Sequence, residues 1–263
     1  MTTVSGKSVI LTGGGGEIGR EVARQFLAGG AQVLLVDLNE SALDEAVQAL
    51  GGENVDYCVA DVTSEEDTKA YVAKALEVFG RIDVLLANAG IEGVVAPVAE
   101  YPADAFRRLI DINVIGPFLG AKHVFPAMAE SGGGSIIITS SIAGVSGSPG
   151  LSAYNTSKHA VIGLMRSVCK EGGPVNIRVN TVNPAPIEGR MIESLEQGSN
   201  PESPQDMREA LIASIPMGRY GVPSDVANLM LFLASEESRL LTGGVSVSYT
   251  HLRAHETYIT KAF

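Results

Sequence analysis

The chain has no tryptophan, only two cysteines, no excess of basic residues and no long hydrophobic run. The two cysteines, Cys58 and Cys169, argue against a disulfide scaffold or a cysteine-rich metal site. They read instead as small buried hydrophobes in a reducing compartment. The net charge of −11, with no basic cluster to interrupt it, argues against nucleic-acid or anionic-membrane partners. No segment approaches the roughly 20 apolar residues of a membrane span. The first residues lack the basic start and apolar stretch of a signal peptide, so a cytoplasmic protein is expected. What remains is 263 residues of ordinary apolar content, enough for one α/β domain with a substantial core.

Short apolar runs alternate with amphipathic segments. Strands are expected at Ser8–Thr12, Gln32–Val36, Val55–Ala60, Val84–Ala87, Ser135–Thr139 and Ile177–Val182. Helices are expected at Ile18–Ala28, Glu40–Leu50, Glu65–Phe79, Asp104–Ala129, Ala153–Lys170 and Ser224–Ala234. Such alternation implies one doubly wound parallel sheet with helices on both faces. Residues 184–221, rich in Pro, Gly, Ser and Glu, read as an insertion that covers a substrate site.

Ligands of open parallel sheets bind beyond the carboxyl ends of the strands. Here those ends are Thr12-Gly13, Asp37, Asp61, Asn88-Ala89-Gly90, Ser140-Ser141 and Asn183-Pro184. Polar residues and glycines at all of them converge on one edge. After the first strand, Gly14-Gly15-Gly16-Glu17-Ile18-Gly19 fits G-x-G-x-x-G at the start of a helix. Glycines there let the backbone approach a pyrophosphate, and the helix N-terminus supplies N–H groups. Glu17 suits the helix dipole but would repel phosphates, so its side chain is expected to turn away. Asp37 ends the second strand, where a carboxylate accepts ribose hydroxyls and repels a 2′-phosphate. No Lys or Arg lies in the glycine loop, and Arg20 is expected to point elsewhere. NAD is therefore favoured over NADP.

Tyr154 and Lys158 lie one helical turn apart, on one face. A phenol normally titrates near about 10, and an adjacent ammonium would favour its ionised form. Ser141, at the end of an apolar strand, can hydrogen-bond a substrate oxygen as charge develops on it. Pro117 has no N–H to give the carbonyl of Asn113, four residues back, which frees that carbonyl.

With these motifs together, residues 5–247 resemble the short-chain dehydrogenase/reductase family. The resemblance implies a single Rossmann-type domain that moves a hydride between a nicotinamide and an alcohol or ketone. It implies that Asn113, Ser141, Tyr154 and Lys158 are catalytic. Tyr154 would exchange the proton, Lys158 would also hold the nicotinamide ribose, and the Asn113 carbonyl would anchor a water relay. It implies cofactor contacts from Thr12, Gly13, Gly14, Gly15, Gly16, Ile18, Gly19, Asp37, Asp61, Val62, Asn88, Ala89, Gly90, Pro184 and Ile187. A homotetramer or homodimer is expected on the same ground, and no metal is.

Two departures stand out. The family's Pro-Gly-x-x-x-Thr reads here Pro184-Ala185-Pro186-Ile187-Glu188-Gly189, so glycine replaces the threonine that would contact the carboxamide. The closing Val-Asp-Gly-Gly is also missing, and Val247–Thr257 looks like a translated sequencing adapter. The segment 248–263 is accordingly expected to be foreign to the fold and to weaken assembly. Its His251 and His255 only mimic a metal pair. Two rival functions remain. A 3-oxoacyl-thioester reductase would need basic docking residues, of which Arg107, Arg108 and Lys122 are the nearest. A catalytically silent nucleotide-binding protein is the other.

Overall fold

The computed structural model describes residues 4–248. The elements are β1 (Ser8–Thr12), α1 (Glu17–Ala28), β2 (Gln32–Asp37), α2 (Glu40–Ala49), β3 (Val55–Val59), α3 (Glu65–Phe79), β4 (Val84–Ala87) and α4 (Ala103–Ile110). They continue with α5 (Gly116–Glu130), β5 (Gly134–Thr139), α6 (Ser152–Gly172), β6 (Ile177–Asn183), α7 (Arg190–Ser199), α8 (Pro204–Ser214), α9 (Pro223–Ala234) and β7 (Val245–Val247). The seven strands form one sheet in the order β3-β2-β1-β4-β5-β6-β7, and every pairing is parallel. Chain direction across the sheet reverses between β1 and β4. A crevice opens at that switch point, beyond the strand ends.

Alternation along the strands divides the core in two. Val9, Leu11, Val33 and Leu35 face α1 and α9, where Val22, Phe26, Val226 and Met230 complete one layer. Ile10, Leu34, Leu85 and Ile136 face the opposite way, against Tyr71, Val124, Val161 and Met165. Both faces are covered, which is why the strands are apolar throughout.

Several local expectations needed revision. Residues 104–129 are not one helix. A π-helical turn, Asp111–Ile115, separates α4 from α5, and Gly116 N–H donates five residues back to the Asp111 carbonyl. Pro117 cannot donate to Asn113, so the register slips there. The 184–221 insertion is not a bare loop but carries α7 and α8. Cys58 and Cys169 are half-buried, not fully buried, and both are free thiols. They lie on the partly covered margin of the second core layer, around rather than within its buried centre. The 248–263 segment lies, apart from Ser248, outside the described residues.

Candidate active site

A cavity of about 1990 Å³ runs along the carboxyl edge of the sheet. Single-ligand pockets reach about 1,000 Å³, so this one has room for two molecules. One end is formed by the glycine loop. α1 begins at Glu17 with Gly16 as its uncapped N-terminal neighbour, which leaves helix N–H groups to face an anion. A Cβ on Gly19 would overlap the Gly13 carbonyl, so only glycine lets the helix lie this close to the loop. Asp37 Oδ2 accepts from Gly15 N–H at 3.1 Å, and Asp37 Oδ1 accepts from Asn39 N–H at 3.1 Å. The carboxylate is thus fixed on the cavity wall. Arg20, expected to point elsewhere, is also on the cavity wall, where its guanidinium is engaged by the Gly15 carbonyl (2.9 Å), the Ala42 carbonyl (3.2 Å) and Glu45 (3.1 Å).

The cavity wall includes Gly13, Gly15, Gly16, Ile18, Gly19, Asp37, Asp61, Val62, Asn88, Ala89, Gly90, Pro184 and Ile187, as the sequence suggests. Thr12 and Gly14 are not on it. Thr12 Oγ1 instead accepts from Asn88 N–H (3.0 Å) and Ala89 N–H (3.1 Å), tying β1 to β4. Gly14 packs against Leu35. Asp61 Oδ1 accepts from both the Thr63 N–H and hydroxyl at 2.8 Å, while Ser64 caps α3. Ile187 bridges to Gly221, whose bonds run through Glu188 N–H and the Pro186 carbonyl.

At the other end, Ser141, Tyr154 and Lys158 meet. Tyr154 sits in a small apolar cluster with Leu109, Ala143 and Ala153, flanked by Ile91 and Leu151. Burial pushes its phenol up to about 12, against a hydrogen bond with Ser141 that lowers it, and the Glu92 carboxylate adds to the rise. Lys158 Nζ lies 5.5 Å from the Tyr154 ring centroid and donates to the Thr139 carbonyl at 2.9 Å. Burial pushes the ammonium down to about 8. The expected drop in the tyrosine's proton affinity is therefore absent in this structure, because desolvation outweighs the Ser141 hydrogen bond that lowers it. Ser140, the neighbour of Ser141, is buried and donates to the Lys158 carbonyl at 2.8 Å.

Asn113 does not reach the cavity wall. Its side chain clasps Ile91, accepting from the N–H and donating to the carbonyl, both at 2.9 Å, and also donates to Ser157 Oγ at 3.1 Å. It therefore fixes the loop after β4. Sequence reasoning missed two further groups. Glu92 follows that loop with its side chain 9% exposed, and Arg190 opens α7 and holds Glu92 with two hydrogen bonds, at 2.7 and 3.2 Å. Nothing in the spacing pairs residues so far apart. The lid adds Met191, Leu195, Met207 and Leu211, which with Val95 and Leu151 make the substrate end largely apolar. Arg107 pairs with Asp104, and Lys122 pairs with Glu65. Among the described residues no group of acidic, histidine or cysteine side chains could hold a metal ion. His251 and His255 lie outside them. No described helix is long and apolar enough to cross a membrane.

These residues fit a nicotinamide dinucleotide: an uncapped helix start for the pyrophosphate, a fixed carboxylate for a ribose, and a tyrosine–lysine–serine group at the far end. Comparison with known proteins agrees. A family model described as enoyl-(acyl carrier protein) reductase matches residues 15–248. The chain is 35% identical to levodione reductase of Leifsonia aquatica, over 94% of this chain and 97% of that protein. It is 38% identical to 2,5-dichloro-2,5-cyclohexadiene-1,4-diol dehydrogenase of Sphingobium indicum, over 92% and 95%. It is also 38% identical to the 3-oxoacyl-[acyl-carrier-protein] reductase FabG of Thermotoga maritima, over 92% and 96%. The crystal structure of levodione reductase superposes with a TM-score of 0.89 at 35% identity, covering 93% of this chain and 96% of that one. That of NAD+-bound xylitol dehydrogenase gives 0.88 at 35% identity, covering 93% and 98%.

Proposed function

The chain belongs to the short-chain dehydrogenase/reductase family, and from that premise we propose that it interconverts a secondary alcohol and its ketone with NAD(H). The observation that carries this is the meeting of Ser141, Tyr154 and Lys158 in the same cavity as the glycine loop and Asp37. The glycine loop and Asp37 would hold the dinucleotide, which as NADH would supply a hydride for ketone reduction and as NAD+ would accept one in alcohol oxidation. Tyr154, held protonated by burial, donates to the substrate oxygen during ketone reduction and takes the hydroxyl proton back during alcohol oxidation. Ser141 hydrogen-bonds the same oxygen and orients the phenol. Lys158, with an ammonium pushed down to about 8, exchanges protons close to neutral pH and replenishes the tyrosine. Asn113 keeps the loop after β4 in place behind them.

Asp37 supports NAD over NADP, since its carboxylate faces the cavity and would repel a 2′-phosphate. The apolar lid favours an uncharged carbocyclic or aliphatic alcohol, in keeping with the names of the levodione and cyclohexadienediol relatives. Absorbance of NADH, followed with a panel of cyclic, aromatic, steroid-like and sugar alcohols, tests the reading. No turnover with any of them would leave the thioester-reductase and nucleotide-binding alternatives.

A 3-oxoacyl thioester is the second reading, favoured by the similarity to FabG and by Arg108, an exposed cation on the cavity wall. Faster reduction of a 3-oxoacyl thioester than of any free ketone would select it. We also propose a cytoplasmic setting, where Cys58 and Cys169 stay reduced. Self-association is proposed as well, supported by exposed Ile115 and Phe118 at the start of α5.

A further inference from the structure

Arg190 is bound at both its ends by carboxylates from two different strand-end loops. Its backbone N–H, the first of α7, donates to the Glu17 carboxylate at 3.2 and 3.3 Å. Its guanidinium holds Glu92 in a two-pronged ion pair, and Glu92 is further fixed by Ser194 one turn along α7. One residue thus joins the glycine loop, the loop after β4 and the lid. Room for this arrangement comes from Gly189. Its φ of +138° is a backbone conformation that side chains rarely adopt, and a Cβ there would overlap the Glu17 carboxylate.

Glu92 also acts on the chemistry. It extends from Ile91, which packs in the same cluster as Tyr154 and is clasped by Asn113. Among the described residues, charged and polar groups approach Tyr154 from several elements. Its own helix brings Lys158, the loop after β5 brings Ser141, and the loop after β4 brings Glu92, with Arg190 behind it. α4 and the segment before it contribute Phe106, Leu109 and Tyr101, whose hydroxyl accepts from Val94 N–H, while Arg107 and Arg108 stay exposed. A mostly buried carboxylate near a phenol opposes its ionisation unless a cation neutralises it.

We propose that Arg190 is a positioning residue of the reaction: a clamp that fastens the lid over the cavity through Glu17 and Glu92, and that neutralises Glu92 beside Tyr154. This rests on the reading of Tyr154 as the acid–base group. Burial pushes the Glu92 carboxyl up, but Arg190, the backbone and Ser194 together hold it below its ordinary value, so it is ionised throughout the working pH range. Removal of the guanidinium leaves that charge unanswered.

The test uses the full chain with Arg190→Met, Arg190→Lys, Glu92→Gln and the double variant Arg190→Met/Glu92→Gln. In Arg190→Met, the pH profile of alcohol oxidation moves to higher pH by roughly half a unit to one unit, the size of a charge–charge interaction of about 1 kcal/mol at high effective dielectric. Arg190→Lys lies between Arg190→Met and the parent. In the double variant the profile returns, because the offending charge is gone. A purely structural role would lower turnover without moving the profile. Independently, amide hydrogen exchange in residues 190–199 of the cofactor-free protein quickens in Arg190→Met and, less so, in Glu17→Gln. An unmoved profile together with unchanged exchange overturns the proposal. If Tyr154→Phe keeps its activity, the acid–base reading fails instead, and the exchange result alone then decides the clamp. Should Arg190→Met not fold, Arg190→Lys and Glu92→Gln carry the same comparison, and an unshifted profile in both overturns the electrostatic half.

Discussion

Replacement of Lys158 by methionine should make the protein more stable while it abolishes activity. The side chain is almost fully buried, and its ammonium is pushed from 10.5 down to about 8 by desolvation. At about 1.36 kcal/mol per unit of pKa, burying the charged form costs roughly 3 kcal/mol relative to burying the neutral form. Methionine is of similar length and carries no charge. It forfeits the hydrogen bond to the Thr139 carbonyl, worth about 1 kcal/mol. The net gain at pH 7 is about 2 kcal/mol, or about 4–8 °C in melting temperature for a domain of this size. The pH dependence fixes the cause. Below about pH 8 both the native and the unfolded lysine hold the proton, and the whole cost is present. Between about 8 and 10.5 the unfolded chain holds a proton that the native state has lost, so the parent gains stability as pH rises. The advantage of the variant should therefore shrink from pH 7 to pH 10. Urea denaturation of the cofactor-free proteins, followed by circular dichroism at both values, measures it. A variant less stable than the parent at pH 7, or a gain of equal size at both pH values, would refute the reasoning.

Tyr154→Phe keeps the packing of the ring against Leu109 and Ala153 but removes the proton, so turnover should fall by about 10²–10⁴ while NADH affinity by fluorescence changes little. In the parent, alcohol oxidation should rise with pH and ketone reduction should fall, because the phenol must lose its proton for one and hold it for the other; profiles of equal slope and sign would contradict the assignment. Asp37→Ala should weaken NAD and relax discrimination against NADP, since the repulsive carboxylate on the cavity wall is gone; a parent protein that already prefers NADP by calorimetry would count against it. Deletion of residues 249–263 should leave cofactor affinity unchanged, because the glycine loop, Asp37 and the other cavity-lining residues among those described all precede them; a large loss on deletion would show that the segment is native to the site.

The sheet and most of the site were legible because they rest on local signals. Strand period, glycine placement and caps such as Asn39 and Ser64 act within a few residues. So does the Pro117 effect, which the sequence pointed to at Asn113 and which appears as a π-helical turn. The lid was less legible. Its Pro, Gly, Ser and Glu content reads as loop, yet Pro204 occupies the first turn of α8, where proline is well tolerated. The electrostatics were not legible either. Spacing puts Lys158 beside Tyr154, but it does not report how much water surrounds them, and here desolvation decides the direction for both groups.

Glu17, a charge within the glycine loop motif, and Gly189, which stands where the family has threonine, look unrelated in the sequence. One adds a charge at the start of α1, and the other deletes a hydroxyl 172 residues later in the chain. In space they are a single feature. The Glu17 carboxylate fills the volume that a side chain on residue 189 would need, and it caps the N–H of the next residue along. Threonine at 189 would collide with Glu17, and glycine at 17 would leave the start of α7 without its acceptor. Each change makes room for the other or replaces what the other removed. The anion-binding end of α7 is occupied by a group carried on the dinucleotide loop. These hydrogen bonds tie the first residue of the lid helix α7 to the first residue of α1, directly after the glycine loop.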